Sequence, residues 1–166
     1  MSKPVTVAQT AAWLKEQDRI LILMHQYPDG DTIGSGFALC RALQALGKTV
    51  RTACHDVIPE KYAYMTDGVP QPAFEPDVIV AVDVADPKLL GESLQPLGDR
   101  VALCIDHHGS NKQYARQLLL DANSTAAAML VAQVIDALGV ELDRAMAECL
   151  YTGVATDSGC FKYSNT

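Results

Sequence analysis

At 166 residues, 49% of them hydrophobic, the chain is long enough to bury one sizeable core and reads as a single domain. A formal net charge of −7 argues against a salt-driven grip on long nucleic acid, no apolar run approaches the ~18 residues of a membrane span, and the charged stretch 1–19 lacks a signal-peptide core. Five widely spaced cysteines without a C-x-x-C pair read as reduced thiols of a soluble cytoplasmic chain.

In chain order, residues 5–17 carry apolar side chains at helical spacing (Val7, Ala11, Leu14), with Thr6 as a cap. The run Arg19–Met24 is uniformly apolar after its first residue and predicts a buried strand that ends on His25. Turn residues Gln26 to Asp31 break it, and helical periodicity resumes over 32–46 until Gly47. A second strand is expected over 48–54, then a loop and short helix to Met65 with Pro59 near its start. The stretch 68–76, with three prolines, is a connector. A third strand, Val78–Val82, ends on Asp83, and Pro87 opens a helical turn toward Leu90. The fourth, Val101–Ile105, ends on Asp106, His107 and His108, and 118–120 is a short fifth. Helices are expected over 124–138, ended by Gly139, and over 143–152, before a last apolar segment into Asp157, Ser158 and Gly159. Strands alternating with helices predict an α/β fold: a doubly wound, mainly parallel five-stranded sheet with helices on both faces.

Taken singly, each polar strand end has an ordinary explanation. His25 could be a satisfied strand-end histidine, Pro28-Asp29-Gly30-Asp31 is good turn chemistry, Asp83 could cap a helix, and Asp157-Ser158-Gly159 could be a plain turn. Jointly these readings weaken, because such a sheet brings the strand ends to one edge, where open α/β folds place their chemistry. Three of the four histidines sit there, and His55 is left to surface or loop. An EF-hand reading of Asp29, Asp31 and Gly34 fails because Cys40 stands where the loop needs Glu. A dinucleotide fingerprint at Gly34-Ser35-Gly36 fails because Leu39 occupies its third glycine position. The pattern His25-x-x-x-Asp29-x-Asp31 instead suits half of a two-metal site. Mixed imidazole and carboxylate donors favour a borderline divalent ion such as Mn²⁺ over Ca²⁺ or tetrahedral Zn²⁺, and paired ions suit in-line attack on phosphorus.

His25-Gln-Tyr-Pro-Asp-Gly-Asp31, Asp83-Val-Ala-Asp86, Asp106-His107-His108 and Thr156-Asp157-Ser158-Gly159 together resemble the four motifs of the DHH phosphoesterase family, in order and spacing, from about residue 18 to the end. Pro-Asp-Gly-Asp-x-Ile-Gly-Ser, Asp56-x-x-Pro59 and Phe161-x-Tyr-x-Asn-Thr166 are most similar to its bacterial oligoribonuclease and pAp phosphatase (NrnA-like) branch. The resemblance implies that His25, Asp29 and Asp83 hold one Mn²⁺, that Asp31, Asp83, His107 and Asp157 hold a second, and that Asp83 bridges them. Mg²⁺ and Co²⁺ are the alternative ions. It further implies that His108 faces the substrate phosphate with Asp106 orienting the histidines, and that Ser110, Asn111, Ser124 and Thr125 are weaker phosphate contacts.

The implied activity is hydrolysis of short oligoribonucleotides, 3′-phosphoadenosine 5′-phosphate (pAp), or both, by two-metal-activated hydroxide. A pyrophosphatase-like DHH enzyme and a non-catalytic binding module are the rivals. The expected partner is a short RNA or nucleotide, neither long duplex nor membrane, with a homodimer as one oligomeric option. Residues 1–166 are expected to form the DHH catalytic, metal-binding domain, without the smaller DHHA1 substrate-binding domain that usually follows.

Overall fold

The computed structural model describes residues 1–164 and 166; Asn165, one residue of the C-terminal motif above, lies outside them. Its centre is a parallel sheet of β1 (Lys3–Pro4), β2 (Ile20–Leu23), β3 (Val50–Ala53), β4 (Val78–Val82), β5 (Leu103–Asp106) and β6 (Gln117–Leu120), in the order β1-β6-β5-β4-β2-β3. The helices are α1 (Val7–Lys15), α2 (Gly30–Ala45), α3 (Ala63–Thr66), α4 (Ala127–Leu138) and α5 (Arg144–Asp157).

The expected sheet of five strands therefore has six. The addition is a two-residue edge strand tied to β6 by Lys3 N–H to the Arg116 carbonyl (2.9 Å) and Val5 N–H to the Leu118 carbonyl (3.0 Å). Lys3 and Pro4 are exposed, so no apolar pattern marks them, and proline is at home on a sheet edge.

The central strands are buried on both sides, and their alternation splits the core in two. Ile20 and Ile22 join α1, α2, α4 and α5 on one face, whereas Leu21 and Leu23 join Leu90, Val101 and Ala115 on the other. Among the described residues, every α-helical side chain in either core belongs to the first face. The second is covered by loops and by the 3₁₀ turns Pro87–Leu90 and Gln95–Arg100, not by the α-helices expected on both faces. In the β4-to-β5 connection Pro87, Gly91, Pro96 and Gly98 interrupt any run long enough for an α-helix, and the β5-to-β6 connection is only ten residues long.

Helix boundaries moved where a cap or a packing contact decided them. In α1, Thr6 and Gln9 form a reciprocal capping box. α2 starts at Gly30, two residues before the expected Thr32, because Asp29 Oδ1 accepts from the N–H groups of Asp31 (3.0 Å) and Thr32 (3.1 Å). α4 begins at Ala127, later than the expected 124, and α5 continues past 152 to Asp157. β2 lies between β3 and β4, so the chain leaves it in opposite directions along the sheet. The carboxyl ends of β2 and β4, where the strand order reverses, are followed by His25 and Asp83. Among the described residues, no helix is long and apolar enough to cross a membrane.

Candidate metal centre

Three strand ends and two helix ends supply the site. His25 follows β2, Asp83 follows β4, His107 and His108 follow β5, Asp29 and Asp31 open α2, and Asp157 closes α5. His25, Asp29 and Asp83 form one potential cation-holding group, Asp31, His107 and Asp157 a second, and Asp83, His107 and His108 a third. His25 Nε2 lies 3.7 Å from Asp29 Oδ1 and 3.5 Å from Asp83 Oδ2. His107 Nε2 lies 3.6 Å from Asp83 Oδ1, 3.9 Å from Asp31 Oδ2 and 3.4 Å from Asp157 Oδ2. Each oxygen of Asp83 thus faces a different imidazole.

Neither Asp83 Oδ1 nor His107 Nε2 has a hydrogen-bond partner, although both are buried. His25 Nδ1 sits 2.7 Å from the Gln26 carbonyl and His107 Nδ1 3.1 Å from the Ser124 carbonyl. A carbonyl only accepts, so Nδ1 of each ring is the donor, and in the neutral tautomer Nε2 turns its lone pair toward the acids. Lone pairs then face lone pairs across gaps of 3.4–3.9 Å, an arrangement stable only with a proton or a cation between them. The donor set fits divalent ions.

Ionisation reflects the crowding. Burial, added to the charges of Asp31 and Asp29, pushes Asp83 up to about 8 despite hydrogen bonding to His25. Burial first and the Asp157 charge second push Asp31 up to about 6. Asp157 is raised mainly by burial, whereas Asp29 is lowered because His25 and two backbone N–H groups outweigh its burial. Burial alone would lower the His25 imidazole, but Asp29 and Asp83 carry it up to about 11. Asp83 also adopts φ +59°, in the left-handed region that is uncommon for a residue with a side chain, which marks a position held by its surroundings.

Asp31 has a structural duty beside its place in the cluster. α4 begins after Ala126, whose side chain cannot cap it, and Asp31 substitutes from α2: its Oδ2 accepts from Ala127 N–H (2.7 Å) and its Oδ1 from Ala128 N–H (2.9 Å). Ser35 adds an O–H donor at 3.1 Å. Close approach of the helices makes this reach possible. A Cβ on Gly34 would overlap the Cys149 carbonyl, and one on Gly153 would come within 2.7 Å of Ala128 Cβ and 2.9 Å of Asp31 Oδ1.

Asp106 is fully buried behind the two histidines. Its Oδ1 accepts from His107 N–H (2.9 Å), His108 N–H (3.3 Å) and His108 Nδ1 (2.8 Å), and its Oδ2 from Asn111 Nδ2 (2.6 Å). Burial favours its protonated form, but these donors prevail and hold it below the ordinary carboxylate value. Hydrogen bonding to Asp106 in turn raises His108 to about 9. Among the weaker candidates, Ser110 is exposed in the following turn and Thr125 is buried. The Ser124 carbonyl orients His107 while its hydroxyl donates to Asp121, and Asn111 serves Asp106. His55 is exposed and pairs with Ser93, and the cap next to β4 is Asp86, not Asp83. The carbonyls of Gln26 and Ser124 had no signal in the sequence, since any residue type supplies one.

Residues 19–154 match the model of the "DHH family, N-terminal domain". The chain is 35% identical over 155 residues to the bifunctional oligoribonuclease and PAP phosphatase NrnA of Thermus thermophilus, covering 89% of this chain and 45% of that protein. It is 24% identical over 154 residues to the NrnA of the same description from Bacillus subtilis, covering 90% and 49%. The crystal structure of an exopolyphosphatase-related protein from Bacteroides fragilis matches with TM-score 0.83 at 26% identity, over 96% of this chain and 52% of that one. The chain spans about half the length of the curated relatives it matches. With a family model matched over most of its length, the chain belongs to the DHH family.

Proposed function

We propose that residues 1–166 form the catalytic, metal-binding domain of a phosphoesterase that uses two Mn²⁺ ions to hydrolyse short oligoribonucleotides, pAp, or both. The observation that carries this reading is Asp83, whose two oxygens address His25 and His107 separately while its Oδ1 lacks any hydrogen bond. Support for the substrates comes from the activities named for the Thermus and Bacillus relatives. Five free cysteines support a reducing, cytoplasmic setting.

His25, Asp29 and Asp83 would hold one ion, and Asp31, Asp83, His107 and Asp157 the other. When bound, the pair would supply positive charge for the phosphoryl oxygens and activate the attacking water. The four aspartates bring −4 to this pocket, which two divalent cations neutralise before a phosphate arrives. His108 falls in the third group with Asp83 and His107, but its Nδ1 is held by Asp106 at 2.8 Å, the ring is half-exposed, and hydrogen bonding to Asp106 raises it to about 9. Its Nε2–H is therefore free to donate to a phosphate oxygen or to a departing alkoxide. Asp106 positions that ring, Asn111 positions Asp106, and Ser110, Ser124 and Thr125 are the further candidates beside an incoming phosphate.

The test is product analysis with Mn²⁺ on pAp, a diribonucleotide, pyrophosphate and a polyphosphate, using the wild-type protein and Asp83→Asn. Hydrolysis of pAp or the dinucleotide that Asp83→Asn abolishes is the expected result. Release of phosphate from pyrophosphate or polyphosphate alone would replace the nucleotide reading, and wild-type protein inert on all four would overturn it.

A further inference from the structure

We propose that Thr32 is a positioning residue that joins β2 to β4 beyond the end of their ladder and so sets how far apart His25 and Asp83 stand; the inference rests on the metal reading above. The β2–β4 pairing ends at Leu23 opposite Ala81. One residue on, Met24 N–H turns toward β3, where it meets the Ala53 carbonyl at 3.0 Å, so the next amide, that of His25, turns toward β4. No ladder carbonyl receives it. The hydroxyl of Thr32, fully buried in the first turn of α2, stands there instead: it accepts from His25 N–H at 3.4 Å and donates to the Val82 carbonyl at 3.2 Å.

One hydroxyl thereby replaces the missing ladder bond and satisfies a main-chain group on each strand. The peptide between Val82 and Asp83 is gripped from both sides, its carbonyl by Thr32 and its N–H by the Ile105 carbonyl at 2.9 Å. That grip acts at the residue with the positive φ, so it holds the backbone turn that aims both Asp83 oxygens. Thr32 N–H also donates to Asp29 Oδ1 at 3.1 Å. A single side chain outside the ligand set is thus bonded to the backbone beside two ligands, and its own amide to a third.

Thr32→Val keeps the branched shape but leaves His25 N–H and the Val82 carbonyl buried without a partner. Calorimetric titration of metal-free protein with Mn²⁺ alone is the experiment. Removing an outer partner of a metal ligand typically costs ~10- to 100-fold in affinity, and a loss of this size is expected in Thr32→Val, with Thr32→Ser staying close to wild type. Leu14→Ala, a fully buried α1 residue of the core outside the candidate site, should lower the thermal midpoint with Mn²⁺ affinity unchanged. Should Thr32→Val fail to fold, Thr32→Ala is the second hydroxyl-free variant and carries the same expectation. Wild-type affinity in whichever hydroxyl-free variant folds, or a loss in Leu14→Ala equal to theirs, would overturn the positioning role alone. Absence of Mn²⁺ binding by the wild-type protein would overturn the metal reading and this inference with it.

Discussion

Gly34→Ala makes a test whose sign decides the issue. In the interior of a helix this change ordinarily stabilises by ~0.8–1.0 kcal/mol, because alanine loses less backbone freedom on folding. Gly34 lies within α2 where α5 crosses it, and the added methyl would overlap the Cys149 carbonyl and come within 3.3 Å of Gly153 N. These neighbours are backbone and cannot rotate aside. Inserting a methyl into a packed interior costs ~1–3 kcal/mol, and rigid neighbours place this case at the upper end. Subtracting the propensity gain leaves a net loss of about 2 kcal/mol, which for a domain of this size is a fall of ~4–8 °C in Tm.

The same methyl should reach the metal centre. Relief requires the helices to part by roughly 1 Å, several times the ~0.2 Å tolerance of metal–ligand distances. Asp31 rides on α2 and Asp157 on α5, each facing His107 from its own helix. Thermal unfolding of metal-free protein and Mn²⁺ titration of the same samples provide the assay. A Gly34→Ala protein that melts at or above the wild-type temperature and binds Mn²⁺ equally well would refute the helix-crossing argument.

Asp83→Asn should weaken both ions together, whereas His25→Ala should weaken one more than the other; elemental analysis showing two ions retained at wild-type affinity in Asp83→Asn would sink the bridging assignment. His25 at about 11 and Asp83 at about 8 both carry protons at pH 7 in the metal-free cluster, and a cation must displace them. Mn²⁺ affinity should accordingly fall as pH drops from 8 to 6, and calorimetry in buffers of different protonation enthalpy should show proton release at pH 7; buffer-independent heats and a flat pH profile would contradict it. His108→Gln should lower kcat by ~10²- to 10⁴-fold, the range for a lost proton donor, with Mn²⁺ binding intact, and an equal loss of both would move His108 among the ligands.

Periodicity and strand ends made most of the sheet legible, together with the His and Asp side chains that the structure brings into one cluster. Ile20–Met24, Val78–Val82 and Val101–Ile105 are short apolar runs, buried over most of their length, and each is followed by a residue that an apolar strand would not choose: His25, Asp83, or Asp106 with His107 and His108 behind it. Local chemistry of this kind is written in adjacent residues. The edge strand Lys3–Pro4 was not, because a solvent-facing pair of residues has no pattern to show. Nor was the extent of α2, where a turn aspartate proved to be the cap.

Everything that depends on two distant segments meeting was decided by the tertiary structure alone. Asp31 caps a helix 96 residues further along, Thr32 reaches across 50 residues to Val82, and the Ser124 carbonyl sets the His107 tautomer. What the missing side chains of Gly34 and Gly153 leave room for shows only at the α2–α5 crossing. The physical reason is that side-chain chemistry and hydrophobic spacing are local properties of the chain. Which backbone amide lacks a partner, and which carboxylate arrives to meet it, exist only once the sheet has brought the strand ends together.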